Sequence, residues 1–390
     1  MKAPKIRIIH FVENYLQITE TFIYNYIIKS SNFGDIAIVT FDMINTDHFP
    51  LSDKIRIFKI KRGPSLSLKD LPRLHWWAIE KLSGRKIWYG QFRKIIEAFR
   101  PDLVHCHFGD MGVRFADFRR YEQLNTKFVT NFYGYDASEL PRRDLAYAAA
   151  LPKVWEGSEF ILAEGPAMGE RLQRLGAPAD KIRLSPIIVD SGKYPVRGLP
   201  SPRKKDEILR FLLIGRFVEK KGFHLFLKAI GKIKGSLPPF KIVMIGSGPM
   251  EDTYRSIITT HALQEVVSFE GVKRLSECMN YMMEADVLVH PSVTAENGDS
   301  EGGAPTILIE AQLMGIPVIS SSHADIPFVM GYHDFLAKEG DIDDLCRIIR
   351  SFIQCDSIPS KTTAGRNKAL EQHDMNNTTA YRDILLKFTA

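Results

Sequence analysis

Cysteine is scarce. Cys106, Cys278, Cys346 and Cys355 are the four in 390 residues, and they show neither disulfide nor metal-ligand spacing. That excludes a disulfide scaffold and points to a reduced, cytoplasmic protein. No apolar run approaches the roughly 20 residues of a membrane span. The opening "KIRIIHFV" is too short for a signal-peptide core and reads as a buried strand. Short internal repeats, low-complexity tracts and nucleic-acid-binding motifs are absent, which argues against repeat, disordered and nucleic-acid-binding classes. The full dinucleotide fingerprint also fails. After Gly246 and Gly248 in "IGSGPM", Glu251 stands where a third glycine would be.

What remains is an ordinary globular composition, 45% hydrophobic and 25% charged, long enough for two domains. The charge is uneven. Residues 1–195 carry 29 Lys/Arg against 22 Asp/Glu, and the remainder 23 against 24. Val/Ile-rich runs such as "DIAIVT", "DLVHCHF", "FKIVMIG" and "ADVLVHP" alternate with helix-like stretches. This pattern predicts α/β domains with parallel sheets covered on both faces. The aperiodic "SGKYPVRGLPSPRKKDE" reads as a linker. We therefore expect a doubly wound domain over 1–195, a second over 196–370, and a last helix in 371–390 that can pack back on the first. Ligands of such sheets sit at the strands' carboxyl ends.

Three loops in the second half carry candidate chemistry. In "IGRFVEKKG", Arg216 and Lys221 follow a strand and precede a helix, a placement that suits a diphosphate or a solvated charged turn. Gly246 lets a backbone pass close to a ligand, or simply makes a tight turn. In "SEGGAPTILIEA", Pro305 fits a first helical position after Gly302 and Gly303. Helix amides from Gly302 through Ala304 to Thr306 would then face an anion. Glu301 in that loop and Glu310 in the helix are suited to accept paired hydrogen bonds from sugar and ribose diols.

Together, "GRFVEKKG", "IGSGP", "FEGV", "ADVLVHPS" and "EGGAPTILIEAQLMGIPVIS" resemble the retaining GT-B glycosyltransferases of family four. "ETFIYNYI", "DLVHCHFG", "TNFYGYD" and "RLGAPADKIRLSPIIVD" extend the resemblance over the first half. It is most similar to the exopolysaccharide, colanic-acid type. The resemblance implies two Rossmann-like domains facing across a cleft. It implies a hexosyltransferase that needs no metal or cofactor and uses a nucleotide diphosphate sugar as donor. Arg216 and Lys221 would neutralise the leaving diphosphate, Glu301 would hold the donor sugar, and Glu310 the ribose. The backbone near Val272 would meet the base. The acceptor would be a glycan or a polyprenyl-linked glycan. A sugar phosphorylase and a non-catalytic sugar-nucleotide-binding scaffold are the competing readings.

Two positions depart from the family pattern. Eight residues separate Glu301 from Glu310, one more than in most members. Tyr133, in "NFYGYD", replaces a histidine that faces the sugar; a phenol titrates near about 10 rather than about 6.5. Thr19, Glu20, His107 and Asp136 are candidates for the acceptor side, while Thr19 and Glu20 equally suit a helix cap. Asp341-x-Asp343 reads as a cap rather than a metal motif. Residues 54–100 hold 13 basic and three acidic residues among Trp76, Trp77 and Trp88. That suits either an anionic membrane surface, making the protein peripheral on the inner face of the cytoplasmic membrane, or a solvated helix face, with at least one tryptophan expected in the core.

Overall fold

The computed structural model describes residues 5–17, 20–62, 86–198 and 207–389. The chain divides into two compact units. One comprises Met1–Ala163, Gly169–Ile188 and Thr379–Ala390, the other Glu164–Met168 and Val189–Thr378.

In the first unit the described residues form a seven-stranded parallel sheet. Its strands are β1 (Ile6–Tyr15), β2 (Gly34–Met43), β3 (Arg56–Lys59), β4 (Leu103–His107), β5 (Phe128–Asn131), β6 (Phe160–Ala163) and β7 (Ile182–Leu184). The order is β3-β2-β1-β4-β5-β6-β7. All five residues of β4 and all four of β5 are buried, because helices cover both faces. The helix Ile87–Phe99 presents Trp88 and Phe92 to Phe11 of β1, and Phe118 packs on both.

This packing makes Trp88 the core tryptophan expected in the basic stretch. Trp88 is 6% exposed, inside an aromatic core, and cannot reach a lipid surface. Its periodicity as a core residue outweighs the basic residues around it. Trp76, Trp77, Lys81 and Arg85 lie outside the described residues. Among the described residues, no helix is long and apolar enough to cross a membrane.

In the second unit the described residues form a six-stranded parallel sheet in the order β10-β9-β8-β11-β12-β13. These are β8 (Leu209–Ile214), β9 (Phe240–Ile245), β10 (Val267–Gly271), β11 (Val287–His290), β12 (Val318–Ser321) and β13 (Leu336–Ala337). Asp341 caps the helix Ile342–Ile353 by accepting the Asp344 N–H at 2.9 Å, and Asp343 pairs with Lys232. The Asp341-x-Asp343 pair is therefore a cap and a surface ion pair.

Each sheet reverses its strand order once, between β1 and β4 and between β8 and β11. The loops leaving those neighbouring strands diverge, and the gap at such a reversal is where open α/β sheets take ligands. In the second unit the two loops are pinned together. Gly222 has φ +69°, and a Cβ there would lie 1.8 Å from the Pro291 carbonyl oxygen. Both the backbone conformation and the contact demand glycine. Gly222→Ala should lower the urea-unfolding free energy by about 2 kcal/mol or more. A loss below about 0.5 kcal/mol, within the range of a plain surface change, would mean the loops are not packed this way.

Candidate active site

The β8 and β11 loops of the second unit bring charged side chains into one buried cluster. After β8 the chain makes a short 3-10 turn, Glu219–Lys221, and this turn aims consecutive lysines at the β11 loop. Lys220 Nζ donates to Asp299 Oδ1 at 2.9 Å and to the Ser300 carbonyl at 3.3 Å. Lys221 Nζ donates to Glu301 Oε1 at 2.8 Å, with both side chains largely buried. Arg216, at the mouth of the same turn, is exposed.

Burial alone would raise the Glu301 pKa. Lys221, Lys220 and His290 outweigh it and bring the carboxyl down to about 2. Burial pulls the Lys221 pKa down, and the Glu301 carboxylate opposes it. Ser292 Oγ also donates to Glu301 Oε1, at 3.3 Å. Since that uses the only hydroxyl proton, His290 Nδ1, 3.0 Å from Ser292 Oγ, must carry a hydrogen and donate it. Glu301 is thus held by a lysine and by a histidine-oriented serine.

The rest of the β11 loop is tied down by side chains far away in sequence. Glu339 Oε1 accepts from the Thr294 N–H and hydroxyl at 2.7 and 2.8 Å. Glu219 accepts the Glu296 N–H. His323 Nε2 accepts the Glu301 N–H at 3.3 Å, and its Nδ1 lies 3.0 Å from Glu339 Oε2.

Gly302, Gly303 and Ala304 are buried on the way to the helix Thr306–Met314. A Cβ on Gly303 would sit 2.3 Å from Glu164 Oε2. Pro305 occupies the N-cap and not the first helical position, because its ψ of 127° is still extended. Glu310 follows one turn on and is buried. Its Oε1 accepts from the Tyr194 hydroxyl at 2.8 Å. Burial raises the Glu310 pKa, and the Tyr194 hydrogen bond opposes this.

Gly246 has φ +139°, and a Cβ there would lie 1.9 Å from the Gly215 carbonyl oxygen. It allows the β8 and β9 loops to touch. Val272, just past β10, is 74% exposed.

In the first unit, Asp136 is 1% exposed. Its carboxylate accepts the N–H groups of Gly109 at 2.8 Å and of Tyr133 and Gly134 at 3.0 Å. Burial lifts its pKa to about 7 against the lowering by those N–H groups. Asp136 thus ties the β4 and β5 loops together, at the edge of a cavity that Glu20 also lines. Phe108 leaves β4 with φ +75°, a strained conformation for an aromatic residue. His107 is also fully buried, with Nδ1 2.7 Å from the Tyr133 hydroxyl. It meets Tyr133 rather than an acceptor, since it lies inside the sheet's covered face. Glu20 stands at the N-cap of the helix Thr21–Ser31, but its side chain accepts the Gln17 N–H instead of capping. Thr19 lies outside the described residues.

Residues 200–369 match the family described as Glycosyl transferases group 1, and residues 55–193 match Glycosyltransferase Family 4. AmsK of Erwinia amylovora, named as an amylovoran biosynthesis glycosyltransferase, is 30% identical over 73% of this chain and 69% of its own length. The chain belongs to the group 1, family 4 glycosyltransferases. WcaL of Escherichia coli, named for colanic acid biosynthesis, is 29% identical over 84% of this chain and 82% of its own. Among solved structures, HepE of Anabaena, crystallised with UDP, superposes with a TM-score of 0.75 at 16% identity, covering 99% of each chain. The fold, with two Rossmann-like units of GT-B type, is therefore shared with that protein.

Several side chains of this glycosyltransferase's site escaped sequence reasoning. His290 and Ser292 lie inside the quoted "ADVLVHPS", and a serine two residues after a strand-end histidine was a usable signal. Tyr194 sat in a stretch read as linker. Nothing local marks His323 or Glu339 as partners of residues 22 and 45 positions away.

The Lys221–Glu301 pair makes a pH prediction. With its pKa depressed, wild-type Glu301 stabilises the fold above its unfolded value of 4.5, and this is lost as pH falls toward about 2. Lys221→Ala leaves Glu301 buried with one lysine fewer. It should cost about 3 kcal/mol at pH 7, and the loss should shrink toward pH 5 as Glu301 takes up a proton. Urea titrations at both pH values measure this. A loss independent of pH would remove Glu301 as the origin.

Proposed function

We propose that this transferase moves a hexose, with retention, from a nucleoside diphosphate sugar to a growing lipid-linked exopolysaccharide or lipopolysaccharide glycan. The observation that carries this reading is the buried Lys221–Glu301 contact at the sheet's reversal point. A cation suited to a leaving diphosphate stands beside a carboxylate suited to sugar hydroxyls. The names of WcaL and AmsK support the glycan class, and the UDP in HepE supports the donor class.

In the proposed reaction the bond between the anomeric carbon and the diphosphate oxygen breaks. Negative charge develops on that oxygen, and Lys221 and Arg216 stabilise it. The acceptor hydroxyl forms the new bond on the same face and gives its proton to the departing phosphate. Glu301 holds the sugar, Glu310 the ribose, and amides from Gly302 to Thr306 the phosphates. The backbone beside Val272 meets the base, and Tyr133 hydrogen-bonds a substrate hydroxyl. The two cations take the charge-neutralising role, so the proposal includes no resident metal or cofactor. Basic residues of 54–100, Lys86 among them, would draw the protein to the anionic inner face of the cytoplasmic membrane; Trp88 plays no part in that contact.

The glutamates should separate by role. Ribose is present in both donor and product, so Glu310→Ala should weaken a bare nucleoside diphosphate about tenfold or more. Glu301→Ala should leave that affinity within about threefold while turnover falls at least about a hundredfold. Calorimetric titration with UDP and GDP, beside turnover assays on a donor panel, reads both. Equal losses of nucleotide affinity would contradict the assignment.

A further inference from the structure

Three histidines sit where buried strands rarely carry them. His10 of β1 pairs in register with His105 of β4, and His107 lies two residues on, so all three share one face of the sheet. None is exposed. Every ring nitrogen has a neighbour. His107 Nδ1 lies 2.7 Å from the Tyr133 hydroxyl, and His107 Nε2 lies 2.9 Å from His10 Nδ1. His10 Nε2 lies 3.0 Å from Ser30 Oγ. Ser30 Oγ lies 2.9 Å from the Tyr381 hydroxyl, which is 2.9 Å from His105 Nδ1. His105 Nε2 lies 3.3 Å from Asn131 Oδ1.

Burial holds all three rings well below the usual histidine range, so each is neutral and carries one ring hydrogen. Each must donate on one side and accept on the other. Ser30 sets the sense. It has a single hydroxyl proton and donates it to the Tyr26 carbonyl at 2.8 Å. Ser30 Oγ can then only accept, so His10 carries its hydrogen on Nε2 and leaves Nδ1 bare. His107 must donate to that nitrogen from Nε2, leaving its own Nδ1 bare. Tyr133 therefore donates its hydroxyl proton inward to His107.

The other branch obeys the same rule. Tyr381 donates to Ser30, so His105 donates to Tyr381 from Nδ1 and its Nε2 is bare. That nitrogen faces Asn131 Oδ1, while Asn131 Nδ2 has no hydrogen-bond partner among the described residues. Turning the amide over lets Asn131 Nδ2 donate to His105 Nε2, and amide orientation is settled by the surrounding network. That orientation gives the buried Nδ2 a partner and agrees with the direction set by Ser30.

Three imidazoles whose nitrogens lie within 4.8 Å of one another could also hold a metal ion. Here the His105 and His107 rings stack, with centroids 4.1 Å apart and 27° between planes. In-plane lone pairs of stacked rings do not converge on one ion, and each nitrogen already has a hydrogen-bond neighbour.

We propose that Ser30, His10 and His107 form a proton-ordered relay that commits the Tyr133 hydroxyl proton inward, so that Tyr133 meets its substrate as a hydrogen-bond acceptor. The substrate atom at Tyr133 is then a donor, such as a sugar hydroxyl, and not a phosphate oxygen. Ser30, His10 and His107 are positioning residues that act through Tyr133. This functional consequence rests on the transferase reading above; the proton order itself does not.

Two experiments test the two parts. Long-range 1H–15N correlation of the histidine rings in the full chain, without ligand, should show Nε2–H for His10 and His107 and Nδ1–H for His105. Nδ1–H on His10 and His107, or a metal ion retained by the purified chain, would overturn the order. This readout needs no activity, so it stands even if no transfer is found. For the functional part, Ser30→Ala should lower kcat about threefold to tenfold, the scale of one hydrogen bond. The same change should have no further effect in a Tyr133→Phe background, and Ser30→Thr should restore kcat. An equal loss in both backgrounds would mean that Ser30 does not act through Tyr133.

Discussion

One ion pair organises the second unit. Lys221 and Glu301 come from loops on either side of a strand reversal and meet at 2.8 Å inside the protein. Neither charge is comfortable there alone, because each is cut off from water. The surrounding structure therefore compensates them. Lys220 adds positive charge, Asp299 partners Lys220, and Ser292 gives Glu301 a second donor. The Gly222 contact with Pro291 and the Thr294–Glu339 bonds keep both loops in register so that the pair can form. A donor diphosphate arriving at this site would offer Lys221 a second anion. Glu301 would keep the Ser292 hydroxyl and accept from the sugar in place of the lysine. On the proposed reading, the pair would hold both groups where a donor needs them.

The first unit uses a different device. Its histidine cluster is neutral and every ring nitrogen has a hydrogen-bond neighbour, which is how buried polar groups avoid their desolvation cost. Strands β1 and β4 could have carried aliphatic side chains at His10, His105 and His107. Instead they carry a chain of directed hydrogen bonds that ends at Tyr133. The buried Lys221–Glu301 pair lies in the unit that would handle the diphosphate, and the neutral histidine cluster in the unit bearing Tyr133.

Much of the architecture was legible in the sequence because it depends on local patterns. Continuous apolar runs such as "DLVHCHF" and "ADVLVHP" became buried parallel strands, and Asp341 became a helix cap. Charged residues at strand ends also marked the loops that now hold Lys221 and Glu301. What escaped was long-range pairing. No local feature ties Tyr194 to Glu310, which is 116 residues away, or Ser30 to Tyr381, which is 351 away. Chemical type also misled where burial decides the role. His107 has the groups of a binding residue, yet it is enclosed and meets Tyr133, while Asp136 ties down the Tyr133 loop. Trp88 sits in a basic stretch, but its helix turns it into the aromatic core.

The central claim is that the Lys221–Glu301 pair is the donor site. The most direct measurement is a crystal structure of the chain with an intact nucleoside diphosphate sugar. The account predicts Lys221 Nζ within hydrogen-bond distance of a phosphate oxygen, Glu301 accepting from hydroxyls of the sugar, and Ser292 still donating to Glu301. A bound donor that leaves the Lys221–Glu301 contact closed, with its diphosphate held elsewhere, would contradict it.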